Sequence, residues 1–301
     1  MDARRAIVTV LWGPLGGKKA VVAPGEALRV GRGERAALVV PSDTGMSPVH
    51  FEISWDGQVA RYRDLNSATG TTVNGEDGKR EGELRSGDWL KAGDTVFTLH
   101  LEGHTPPPRA RAGGEDLEPE RRARAEEALS TLDAVAQDEP LYAVLDAARD
   151  PRILTLCQEA VEEHVSLYDG IQGEGLSRVA PHLVRLRRGS RLLASLVREG
   201  WGKRWGIWLT SRQTPREVRR HLRRFLMVEL EGKRGRVYFR FYDPGTLVSF
   251  VPTCSPRQLE EFFGAVTSFF AETRDLELRR FTRSEGAAAS RPSADSTHPE
   301  T

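Results

Sequence analysis

The sequence predicts a multidomain chain, an N-terminal all-β sandwich followed by a C-terminal mixed α/β domain. Three observations predict it. Residues 1–103 consist of short β-type runs separated by Gly and Asp turns, with no convincing helix. Pro106-Pro107-Pro108-Arg109-Ala110-Arg111-Ala112-Gly113-Gly114 then reads as a linker, stiff at the prolines and loose at the glycines. Beyond residue 140 strand-like runs alternate with capped helices. At 301 residues the chain has room for two cores. The expected division is 1–103, a linker with an exposed helix at 104–139, 140–283, and a disordered tail at 284–301 rich in Ser, Ala and Pro.

In the first part, strand-like runs fall at 6–12, 19–22, 27–30, 36–40, 50–55, 59–64, 71–73, 88–91 and 95–101. Asp56-Gly57 between two alternating runs is a hairpin signal. Many short strands of this kind make a sandwich.

Residues 118–135 have helical composition but little apolar periodicity, which predicts an exposed connecting helix. Residues 141–145 read as a strand, and Asp150-Pro151 starts a helix with Asp as N-cap and Pro at the first helical position. Ser190 opens a helix that ends at Gly200, and residues 205–209 are strand-like. Thr214-Pro215-Arg216-Glu217 is a capping box for a helix to about residue 227. A hairpin follows, with its turn at 231–235 and second strand at 237–242. Ser255-Pro256-Arg257-Gln258 is another capping box, opening a helix expected to reach residue 270.

Composition excludes several classes. Lys+Arg number 44 against 43 Asp+Glu, so the whole chain has no polyanion affinity by charge alone. Cys157 and Cys254 form neither a disulfide framework nor a zinc motif, which fits a reducing compartment. No secretion leader is legible at the N-terminus, and no run approaches the ~20 apolar residues of a membrane span. The expectation is a cytoplasmic protein without membrane insertion, cofactor or metal site. Gly13-Pro14-Leu15-Gly16-Gly17-Lys18-Lys19 has a P-loop flavour, but its spacing is too short and no Ser/Thr follows the lysines. A hairpin turn accounts for it. Ser47 and His50 could suggest nucleophilic catalysis, yet no acidic orienter stands at a recognisable spacing. Three Trp residues, Trp201, Trp205 and Trp208, read as core packing, and Arg240 with Asp243 as an internal ion pair.

Three loop clusters carry the strongest functional signal: Gly31-Arg32, then Ser47-Pro48-Val49-His50, then Asp64-Leu65-Asn66-Ser67-Ala68-Thr69-Gly70-Thr71-Thr72-Val73-Asn74-Gly75. A guanidinium is a planar fork of donors suited to phosphate oxygens, and a serine hydroxyl adds another. With Gly87-Asp88-Trp89-Leu90 and Phe97, residues from about 21 to 101 resemble the forkhead-associated (FHA) domain, a β-sandwich that reads phosphothreonine peptides. The resemblance implies that Arg32, Ser47, Thr69 and Gly70 bind phosphopeptide, while Gly31, His50 and Asn74 support the loops. Two positions depart from the family. Pro48 stands where an arginine is usual after the serine, and Thr69 where an asparagine is usual before the glycine. Each loses donors, since threonine has one and an asparagine amide two.

Residues from about 141 to 264 resemble the effector adaptor (chaperone) domain of bacterial type VI secretion systems, the Tap/TEC group. The resemblance is carried by Tyr142-Ala143-Val144-Leu145-Asp146-Ala147-Ala148-Arg149-Asp150-Pro151, Glu199-Gly200-Trp201-Gly202-Lys203-Arg204-Trp205-Gly206, Phe239-Arg240-Phe241-Tyr242-Asp243-Pro244 and Val251-Pro252-Thr253-Cys254-Ser255-Pro256. It implies a non-enzymatic protein that binds a cognate effector and loads it onto a VgrG-type spike protein, with the FHA part recognising a partner that phosphothreonine would mark. Between residues 140 and 283 there are 25 Lys+Arg and 17 Asp+Glu, an excess that attracts an acidic surface. Arg219, Arg220, Arg223 and Arg224 crowd one helix beside a core stripe of Val218, Leu222, Phe225 and Leu226, and are candidate partner-binding residues. The alternative is a phosphothreonine-dependent signalling scaffold regulating the secretion system. Nucleic-acid binding through the basic helix ranks below both, for want of a reading motif.

Overall fold

The structure is a computed structural model that describes residues 4–13, 15–76, 80–108, 118–168, 177–229 and 235–284. The glycine half of the expected linker, positions 231–234 of the expected hairpin turn, and the expected tail from 285 onward lie outside the described residues. The chain forms two compact units, Met1–Ala110 with Leu154–Val165, and Arg111–Ile153 with Ser166–Thr301.

The first unit is a β-sandwich. Its strands are β1 (Ala6–Trp12), β2 (Lys19–Val22), β3 (Glu26–Gly31), β4 (Leu38–Val39), β5 (Phe51–Trp55), β6 (Ala60–Asp64), β7 (Thr71–Val73), β8 (Glu81–Leu84), β9 (Trp89–Ala92) and β10 (Thr95–Leu101). They make two five-stranded sheets, in the orders β2-β1-β10-β9-β7 and β4-β3-β5-β6-β8. Alternating residues of both sheets, among them Val8, Val30, Phe51, Ile53, Leu90 and Phe97, fill the space between. The expected 36–40 strand shrinks to two residues, paired parallel to β3. Strand β8 was not legible: Glu81-Gly82-Glu83-Leu84 offers one apolar side chain, and its backbone pairing with β6 creates the strand. The Gly13–Lys18 stretch is the β1–β2 turn, closed by Gly16 N–H to the Gly13 carbonyl and Lys18 N–H to the Leu15 carbonyl. Lys19 Nζ donates to the carbonyls of Cys157 and Ala160, 2.6 Å each, so it is a buried structural cation.

The second unit is mixed α and β. Its elements are α1 (Glu118–Asp138), β11 (Leu141–Asp146), α2 (Pro151–Gln158), β12 (His164–Ser166), β13 (Pro181–Leu186), α3 (Arg191–Gly200), β14 (Gly206–Ser211), α4 (Pro215–Arg223), β15 (Met227–Glu229), β16 (Arg236–Tyr238), α5 (Pro244–Phe250), α6 (Pro256–Phe263), β17 (Val266–Glu272) and β18 (Leu278–Thr282). Of these, α2 and β12 straddle the division between the units. A six-stranded sheet runs β12-β13-β11-β14-β17-β18, and β15 with β16 forms a separate hairpin. Ser190, Thr214 and Ser255 cap α3, α4 and α6, the last two through complete capping boxes. Trp201, Trp205 and Trp208 are buried, with Trp201 and Trp208 ring centroids 5.8 Å apart.

Several expectations are corrected. Helix α1 is not an exposed connector: it buries Ala125, Ala128, Leu129 and Leu132 against α3. That stripe has helical spacing, but half of it is alanine, which leaves only a faint apolar signal. Helix α4 ends at Arg223 instead of reaching residue 227; Arg224 to Leu226 turn the chain into β15. The second hairpin strand stops at Tyr238. Helix α6 stops at Phe263, because Gly264 takes φ +51° and the β-branched and aromatic run after it forms β17, buried on nearly every residue. Finally, Arg240 pairs with Asp146, while Asp243 pairs with Arg149 and Arg204. Asp243 also caps α5.

Candidate functional site

The three loop clusters meet at one end of the sandwich, and one imidazole joins them. His50 is fully buried just before β5. Its Nδ1 accepts from Ser47 N–H at 3.0 Å, and its Nε2 lies 2.9 Å from the Gly70 carbonyl. A carbonyl only accepts, so Nε2 carries the proton and the ring is the neutral tautomer with Nδ1 free to accept. Neither nitrogen is left to act as a base towards the Ser47 hydroxyl. The serine–histidine spacing therefore builds a brace, with no catalytic dyad.

Around this brace Arg32, Thr69 and Gly70 are exposed and Ser47 is half-buried. Arg32 N–H donates to the Ser47 carbonyl at 3.0 Å, which binds the β3–β4 loop to the next. The Arg32 guanidinium is solvent-exposed and pairs with no carboxylate among the described residues. Ser47 Oγ accepts from Ala68 N–H at 2.9 Å, leaving its own hydrogen to donate outward. Thr69 Oγ1 instead gives its hydrogen to the Gly45 carbonyl at 3.2 Å. Gly31 is required by close approach: a Cβ there would lie 2.3 Å from the Pro48 carbonyl oxygen. Gly70 takes φ +75° and is open to solvent, so a side chain there would meet strain but no neighbour.

The β6–β7 loop is held by Asp64, which accepts from Ser67 N–H (2.9 Å), Ser67 Oγ (2.6 Å) and Thr71 Oγ1 (2.7 Å). Burial opposes its charge, but those hydrogen bonds outweigh burial and hold the carboxyl below its ordinary range. Asn74, at φ 53°, donates to Asp88 at 2.9 Å and accepts from Trp89 N–H at 3.0 Å, which locks the β7 turn to β9. Asp43 escaped the sequence reading. Buried, it accepts from Gly45 N–H, Asp94 N–H and Thr95 Oγ1, and so anchors the loop that carries Ser47. Its local signal was the Asp-x-Gly turn; its partners near residue 94 are remote in sequence.

On α4 the structure separates the four arginines. Arg219 is half-buried and donates to the carbonyls of Ser166 (2.8 Å) and Tyr168 (3.0 Å), so its guanidinium is spent inside the fold. Arg223 is also half-buried. Arg220 and Arg224 are exposed, and Arg224 Nη2 meets His221 Nδ1 at 2.7 Å. Among the described residues no three His, Cys, Asp or Glu side chains gather as a metal site, and no helix is long and apolar enough to cross a membrane. Both cysteines are buried thiols, and burial pushes Cys157 up to about 12.

Sandwich topology, a braced set of loops and an unpaired guanidinium at their tip define a binding module. Residues 28–93 match the FHA domain family, and residues 141–261 match the family described as Domain of unknown function (DUF4123). The chain thus carries an N-terminal FHA domain and a C-terminal DUF4123 domain. Over 72 residues it is 50% identical to the FHA domain-containing protein FhaA of Mycobacterium tuberculosis, a match covering 24% of this chain and 13% of that protein's length. A crystal structure of the FhaA FHA domain complexed with the intracellular domain of Rv3910 is 36% identical, covering 32% of this chain and 99% of that one, at a TM-score of 0.29. An FHA domain from a structural and functional study of phosphothreonine-dependent interactions is 34% identical, covering 35% of this chain and 99% of that one, also at 0.29.

Proposed function

We propose that this protein is a type VI secretion adaptor: the DUF4123 domain binds a cognate effector and loads it onto a VgrG-type spike, and the FHA domain selects a phosphothreonine-bearing partner. The observation that carries this reading is the union in one chain of the DUF4123 match with an FHA loop set whose Arg32 guanidinium is unspent. Recognition would run through charge and hydrogen bonds, with Arg32 and Ser47 on the phosphate and the exposed Gly70 backbone beside it. Thr69 and Pro48 supply less than the usual side chains, which makes this a low-affinity reader. No bond is made or broken, and no cofactor is needed.

Affinity capture from cells carrying the secretion system tests the adaptor reading: an effector and a spike protein should be recovered together. Deleting the gene should stop secretion of that effector while the apparatus still fires; loss of all secretion would contradict the reading. The signalling-scaffold alternative predicts capture of a kinase or regulator without the spike. For the FHA half, titration with a phosphothreonine peptide library should give binders that Arg32→Ala weakens by ~10- to 100-fold, the usual worth of charge-assisted hydrogen bonds. Equal binding of unphosphorylated peptides would overturn it.

A further inference from the structure

We propose that the groove between α4 and the chain turning into β17 binds carboxylates of an acidic segment on a partner protein, with Arg220 and Arg224 as its cations. The groove encloses about 390 Å³ and is lined among others by Glu217, Arg220, His221, Arg224, Gly264 and Val266. Arg220 and Arg224 stand one helical turn apart on the same face of α4 or its cap.

Arg224 is aimed by its neighbour. His221 Nε2 lies 2.8 Å from the Phe262 carbonyl, so it holds the proton, and Nδ1 accepts from Arg224 Nη2. Gly264 makes room for this ring: a Cβ there would fall 2.5 Å from His221 Cε1. One donor of the guanidinium is thereby fixed, and its remaining donors have no carboxylate among the described residues. Arg220 makes no ion pair among the described residues either, and it influences Glu217 only at a distance.

Glu217 offsets only one of these charges, and its carboxylate is held at the capping box, Oε2 accepting from Thr214 N–H (2.9 Å) and Oγ1 (2.8 Å). Arg283 adds charge at the rim by donating to the Gly264 carbonyl at 2.7 Å. Two unpaired guanidiniums beside one occupied carboxylate leave the groove net positive. The fixed Glu217 at one side opposes an extended phosphate backbone, while the buried Val218 and Val266 give the groove an apolar floor. A protein segment bearing Asp or Glu fits both features. The identity of that partner as the effector or the spike rests on the adaptor reading; the groove's chemistry does not.

Fluorescence anisotropy of the full-length protein with a labelled ten-residue Glu/Ala peptide tests the groove directly. The peptide should bind at low salt, and R220E/R224E should weaken it at least ~10-fold, as should R220Q/R224Q if charge reversal disturbs folding. R122E, on an exposed arginine of α1 that does not line the groove, should change affinity less than about two-fold. The proposal fails if R122E weakens binding as much as the double variant, if a Ser/Ala peptide binds equally, or if an oligonucleotide of equal charge displaces the probe better than unlabelled peptide. Loss of effector capture with the peptide still bound would overturn the adaptor reading alone.

Discussion

The Thr69 hydroxyl donates to the Gly45 carbonyl, 3.2 Å away, so the residue at the tip of the FHA loops has no side-chain donor to spare. A threonine hydroxyl has a single hydrogen, and here the fold itself consumes it. The loop that carries Ser47 is tightened by that bond.

Replacing Thr69 by Asn should reverse the balance. The amide offers two donors, one for Gly45 and one for a bound peptide. Thr69→Asn should tighten phosphothreonine-peptide binding by ~5- to 30-fold, roughly 1–2 kcal/mol, by isothermal titration. An unchanged affinity would mean that the loop tip does not touch the ligand.

Asp64 should set the acid limb of the first unit's stability. Its folded pKa lies below the ordinary carboxylate value, so its contribution is complete above that value and is lost as pH falls through the depressed one. Asp64→Asn should cost about 1–2 kcal/mol at neutral pH, from three hydrogen bonds that a neutral acceptor meets less well. The variant should also show a flatter loss of stability below about pH 4. Urea melts across pH, followed by tryptophan fluorescence, would register both.

His221 gives the second unit a different pH signature. Burial, with the Arg224 charge beside it, lowers its pKa despite the opposing Phe262 carbonyl. The stability held by the neutral ring is therefore complete above the ordinary histidine value near 6.5 and declines as pH falls towards the lowered one. His221→Phe should abolish that decline and should also release Arg224, weakening the acidic probe several-fold at neutral pH. Unaltered pH dependence in the variant would place the decline on another group.

What could be read in the chain depended on how local each signal was. The capping boxes at Thr214 and Ser255, the Asp56-Gly57 turn and the Ser-x-x-His spacing are complete within four residues, and each forms in place. Asp43 and Arg219 are the opposite case. Their roles are set by Asp94, Thr95, Ser166 and Tyr168, some fifty residues away, and no short pattern marks them. The extension of α6 through β17 failed for another reason. Strand β17 is buried on nearly every residue, so its alternation vanishes and Phe269-Phe270 continue the apolar run of the helix. Only Gly264 marked the break.

Asp243 offers the sharpest separation of two physical roles in one side chain. It is 4% exposed, caps α5 by accepting from Thr246 N–H at 2.9 Å, and pairs with both Arg149 and Arg204. Asparagine caps a helix about as well as aspartate, but carries no charge. Asp243→Asn should therefore keep the cap and take one carboxylate from both Arg149 and Arg204. Arg149 retains Asp146 at 3.6 Å, and both arginines reach solvent, which moderates the loss to ~2–3 kcal/mol. Asp243→Ala removes the cap as well and should cost ~1 kcal/mol more. If urea denaturation finds the Asn variant as stable as the native chain, the ion pairs contribute nothing net and Asp243 serves the cap alone. If Asn and Ala are equally damaging, the charge is the whole of its role, and α5 is held by the packing of Leu247 rather than by its first turn.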